Sequence, residues 1–138
     1  MFLDCIANCI TDDQNKLITS IPSIDEISKA IFSFEEDKSP RPNGFPFLFF
    51  HKYWNIIGTD VCNGVKEFFD SRKILKELNG TFIALIAKKL GADSMDWFHP
   101  ISLCNSFYNI ISKVLTLRIL PLLSNVISRQ ENGFVPGR

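Results

Sequence analysis

The chain has 138 residues, 46% of them hydrophobic and 12% aromatic, with thirteen Phe against two Tyr and two Trp. Such a composition excludes disorder over most of the length and predicts a packed core, with many apolar rings that must be covered by this chain or by something docked on it. The formal net charge is zero, yet residues 1–37 carry eight acids and two bases and residues 38–138 carry seven acids and thirteen bases, so an acidic lead precedes a basic body suited to a polyanionic partner.

No secretory signal is evident, because Asp4 interrupts the opening MFLDCIANCI and no basic stretch precedes it. The apolar run 110–127 is broken by Lys113, Arg118 and Pro121, so no membrane span is expected and the location implied is cytoplasmic or nuclear. Cys5, Cys9, Cys62 and Cys104 form no CxxC pair and read as packed thiols. Cys5 and Cys9 with His51 or His99 are the alternative, a zinc site.

In chain order, Asp12 and Asp13 sit in a polar stretch and read as solvent-facing charge. Ser23 with Glu26 makes a capping-box pattern, and Ile24, Ile27, Ile31 and Phe34 recur at helical spacing, predicting a helix over 24–34. Two prolines and Asn43-Gly44 make 38–45 a shaped loop, with Gly44 free to take positive φ. Pro46 then suits the first turn of a helix that Gly58 stops. Thr59 or Asp60 caps the next helix, which turns Val61, Val65, Phe68 and Phe69 inward and ends near Ser71.

The run 81–87, TFIALIA, is short and apolar between Gly80 and a lysine pair, which predicts a buried strand. A partner strand is expected at 101–103, the two closing an irregular hairpin across a polar, Gly-containing loop. Asn105 caps a long helix with Phe107, Ile110, Ile111, Val114 and Leu115 on one face, and Pro121 kinks it or starts another.

Several blocks, taken in order, resemble the front of the reverse transcriptase of non-LTR, LINE-type retrotransposons. Residues 38–46, KSPRPNGFP, are similar to that family's KAPGPDGFP loop, with Arg41 where Gly is usual and Asn43 where Asp is usual. Residues 79–88, NGTFIALIAK, resemble LNxTxIxLIPK, with Ala87 in place of Pro, and 99–105, HPISLCN, resemble RPISLCN, with His99 in place of Arg. The likeness continues through 107–120 and 127–138, where Asn109 replaces a usual Lys and Glu131 a frequent Gln.

The resemblance implies an α+β, mainly helical fold: the fingers portion of a right-hand polymerase with one small antiparallel hairpin, the palm missing. It divides the chain into an acidic lead-in, 1–22, and a partial reverse transcriptase domain, 23–138. By the same resemblance Lys38, Arg41, Asn43, Lys89 and Arg138 face nucleic acid, while Lys88 and His99 reach the nucleotide triphosphate. A neutral imidazole cannot copy the planar fork of a guanidinium on phosphate, so nucleotide binding is expected to be weakened.

The implied parent activity is RNA-directed DNA synthesis with Mg²⁺ on an RNA template and RNA–DNA hybrid, the palm docking on this fragment. No cofactor and no activity are expected of the fragment itself. It lacks a carboxylate cluster, and Asp12 and Asp13 precede all the fingers blocks, whereas the family's pair lies far downstream. Alternatives are a decayed product without a role, a residual nucleic-acid-binding module on the same basic residues, and a helical interaction protein using a Phe-rich surface.

Overall fold

Five α-helices and one two-stranded antiparallel sheet make up residues 10–36 and 44–127, the part of the chain that this computed structural model describes. Helix α1 (Asp12–Thr19) begins with a full capping box between Thr11 and Gln14, and Asp12 and Asp13 lie exposed in its first turn, where carboxylates favour the helix dipole. Helix α2 (Ile24–Phe32) starts at Ser23, whose hydroxyl accepts from the Glu26 N–H. It buries Ile27, Ala30 and Ile31, while Ile24 is exposed and Phe34, past the helix end, stacks on Phe47 at 3.8 Å.

Helices α3 (Phe47–Lys52) and α4 (Trp54–Ser71) follow Pro46, with the break at Tyr53 and not at Gly58. Gly58, Thr59 and Asp60 all lie inside α4, so the predicted stop and caps are wrong. Gly58 is there for space: a Cβ would stand 3.0 Å from the Trp54 ring. The predicted end near Ser71 holds, closed by Arg72 in the left-handed conformation at φ 58°, its N–H bonding Phe68 O.

Strand β1 (Thr81–Ala87) matches its predicted bounds, and β2 (Phe98–Cys104) is longer than expected because all seven residues pair, from Thr81↔Cys104 to Ala87↔Phe98. Helix α5 (Ser106–Val126) is capped by Asn105 and runs through Pro121. Leu117, whose carbonyl loses its usual donor, and Pro121 are both exposed, so water can serve there.

The core joins Ile27, Ala30 and Ile31 of α2 to Phe47 and Phe50 of α3, Cys62 and Val65 of α4, and Ile110, Ile111 and Val114 of α5. Helix α1 packs on α5, and Arg118 fixes that join. Its guanidinium bonds both Glu26 carboxylate oxygens, at 2.5 and 2.9 Å, and the carbonyls of Ile18 and Ser20. The stretch Ser106–Leu123 is, by length and composition alone, long and apolar enough to cross a membrane. Here that helix packs as a core helix, with Ile110 and Val114 fully buried.

The hairpin packs mainly on itself. Strand β1 is not buried as predicted: Phe82 and Ile83, on opposite faces, are 58% and 68% exposed. An unbroken apolar run marks a strand with both faces covered, and among the described residues nothing supplies that cover.

Candidate nucleic-acid interface

The hairpin register decides which side chains meet. Ile86 stands opposite His99, and the Lys88 N–H bonds Trp97 O at 2.8 Å, continuing the ladder one step beyond β1. Lys88, Ile86 and His99 therefore share one face, with Lys88 diagonal to His99. The two residues expected to face a nucleotide are brought together, both exposed.

Lys88 and Lys89 are each held by the hairpin's own turn. The Lys88 ammonium donates to Asp96 O at 2.8 Å, and the Lys89 ammonium lies over the Trp97 ring, 2.9 Å from its centroid. Trp97 belongs to a 3₁₀ turn (Met95–Trp97) that closes the loop between the strands. Sequence reasoning missed it; a lone Trp in a polar loop just beyond a lysine pair was the available signal.

The β2–α5 junction positions this face. Asn105 Oδ1 accepts from Phe107 N–H, and the Asn109 amide donates to the carbonyls of Cys104 and Asn105. The buried Ser106 hydroxyl donates to Phe45 O, 61 positions earlier in sequence, at 2.8 Å. Gly44, whose φ is +71° as expected, and Phe45 follow directly on the Pro-rich stretch 38–43, which lies outside the described residues. Phe45 is thus fastened to the base of the hairpin. On the other side of that stretch, Glu36 meets His51 Nδ1 at 3.3 Å, while His51 Nε2 contacts Ile31 O at 2.9 Å.

Lys38, Arg41, Asn43 and Arg138 lie outside the described residues, as do Cys5 and Cys9. His51 is engaged by Glu36 and Ile31, and His99 stands on the hairpin; no group of three or more His, Cys, Asp or Glu among the described residues could hold a metal. Cys62 is buried, and burial pushes its thiol up, against the smaller pull of Lys66. An open groove of about 580 Å³ lies away from these cations, along α4 and the turn after it, lined by Phe68, Ile74, Leu75 and Phe107. The polar residues Asp60, Glu67, Ser71, Lys73 and Lys76 also line it.

No protein-family model matches the chain. It is similar, at 28% identity over 116 residues, to the Transposon TX1 uncharacterized 149 kDa protein of Xenopus laevis. The match covers 84% of this chain and only 9% of that protein's length. The similarity supports a transposon origin for the chain.

Proposed function

We propose that this chain is the fingers portion of a retrotransposon RNA-directed DNA polymerase, in which the β1–β2 hairpin meets nucleotide and nucleic acid. The observation that carries the reading is the Ser106–Phe45 hydrogen bond, which fastens Phe45, just after the Pro-rich basic stretch, to the hairpin base. Two blocks of the resemblance, far apart in sequence, thus reach one region, and the similarity to a transposon protein agrees with them. Lys88 and His99 serve the triphosphate; Lys38, Arg41, Asn43, Lys89 and Arg138 serve the RNA template and RNA–DNA hybrid.

In the intact enzyme a palm supplies the Mg²⁺-binding carboxylates and covers part of the exposed hairpin. The action is cytoplasmic or nuclear. Beyond the hairpin the sequence holds a single carboxylate, Glu131, whereas two-metal phosphoryl transfer needs several converging on ions about 4 Å apart. The expected outcome for this chain alone is no Mg²⁺-dependent primer extension, and any extension by the pure chain overturns it.

Labelled RNA–DNA hybrid titrated at several salt concentrations tests the nucleic-acid contact. Affinity should fall steeply as salt rises, since each neutralised phosphate releases counterions; a flat response sinks it. His99→Arg should tighten triphosphate binding about tenfold, the worth of a charge-assisted hydrogen bond, and no change removes His99 from the nucleotide site. A second reading, a protein-interaction module, draws on the exposed Phe82 and Ile83; self-association that survives high salt would favour it.

A further inference from the structure

The Trp97 indole sits on an exposed turn, at the end of the hairpin away from the helical core. The half-buried ring carries the Lys89 ammonium over one face, while its backbone is fixed by two hydrogen bonds, Trp97 N–H to Ser94 O and Lys88 N–H to Trp97 O. An exposed cation–π contact is weaker than a base stacked on indole, so a base can take the ring face and release the ammonium. Lys88 precedes Lys89 in sequence, its own ammonium donating to the Asp96 backbone carbonyl.

We infer that Trp97 is a stacking platform for an unpaired base of single-stranded nucleic acid, with Lys89 swinging from the ring to the adjoining phosphate. This rests on the nucleic-acid contact proposed above and adds to it the strand state. A duplex keeps its base faces stacked on neighbouring pairs and offers only its ends to such a ring, whereas every base of a single strand has a free π-face. Asp93 and Asp96 in the same turn offset the charge of the two lysines. Stacking, not phosphate attraction, therefore supplies most of the affinity at this site.

The test is fluorescence anisotropy of a short labelled RNA, free and annealed to complementary DNA, with the whole chain and with Trp97→Ala, Trp97→Phe and Lys89→Ala. Amide hydrogen exchange across β1 and β2, with far-UV circular dichroism for the helices, confirms that each variant keeps both the hairpin and the core. Trp97→Ala should weaken single-strand binding roughly tenfold, by the same factor at low and high salt, and leave the hybrid within about twofold. Trp97→Phe, which keeps a ring, should restore most of the loss. Lys89→Ala should lower the salt slope by about one contact. Unchanged single-strand affinity in Trp97→Ala, or an equal loss on the hybrid, overturns the platform while salt-sensitive hybrid binding by the unaltered chain leaves the proposed function standing. If the unaltered chain binds neither probe, both fall.

Discussion

Replacing Arg118 by Met removes one charge and keeps the volume of the side chain, and it tests the join between the first two helices and the core. The Arg118 side chain is 7% exposed and its partner Glu26 29%. Four hydrogen bonds leave the guanidinium, two of them to the Glu26 carboxylate, and Phe69 lies 5.2 Å away under it. Breaking a fully buried pair by removing one partner costs about 3–5 kcal/mol. Glu26 keeps partial access to water, and Met keeps the contact with Phe69, so a loss of about 3 kcal/mol is expected. That corresponds to roughly 10 °C in Tm for a domain of this size. Urea unfolding followed by circular dichroism reads it directly.

The same pair has a pH signature. The Arg118 hydrogen bonds hold the Glu26 carboxyl below its ordinary value, helped by the guanidinium charge and the Ser23 backbone and opposed by burial. A carboxylate depressed in the folded state contributes stability above its unfolded pKa, about 4.3, and loses it as pH falls through the folded value. The gap between the unaltered chain and Arg118→Met should therefore be full at neutral pH and shrink below pH ~4.3. A gap under about 0.5 kcal/mol at neutral pH, or one indifferent to acid, would refute the reasoning.

Other substitutions probe the remaining elements. Ser106→Ala should cost about 1–2 kcal/mol by removing the hydroxyl's bond to Phe45 O, and limited proteolysis should then cut faster at 38–44; unchanged cleavage would separate that stretch from the hairpin base. Arg72→Gly should stabilise by roughly 0.5–1 kcal/mol, because Arg72 holds φ 58° where glycine is unstrained, and a loss in urea midpoint would contradict that. Ile83→Lys, at a position 68% exposed, should change stability by less than about 0.5 kcal/mol yet reduce self-association in sedimentation; strong destabilisation would mean the hairpin face is covered. In timed alkylation mapped by mass spectrometry, Cys62 should lag Cys104, since burial both hides its thiol and raises its pKa. Equal rates would count against the packed α4.

The helix starts at Ser23 and Asn105 and the bounds of β1 were legible because capping and strand signals are local, set by hydroxyl or amide acceptors and by flanking Gly and Lys. Gly58 misled because its role is set by the Trp54 ring one turn away, and a glycine needed for space carries the same letter as one that ends a helix. Glu26 was read as half of a capping box, but its carboxylate goes to Arg118, 92 positions on. Only the fold brings those two together. The pairing that sets Lys88 beside His99 follows from two strands that the sequence marks, while the Lys89–Trp97 contact depends on a loop returning on itself, which neither periodicity nor spacing encodes.

The hairpin's stability and the core's are only loosely joined. A two-stranded sheet is marginal in water by itself, and this one is attached to the helices chiefly through the capped β2–α5 junction and the Asn105 N–H bond to Gly80 O. Its apolar side chains gain little from burial where they stand, so opening the hairpin costs far less than unfolding α2, α4 and α5. A ligand that grips Lys88, Trp97 and His99 favours the closed hairpin by mass action and adds nothing to the core. The proposed binding face can thus be lost, by heat or by substitution, while the helices stay folded; retained helicity is no measure of a retained site.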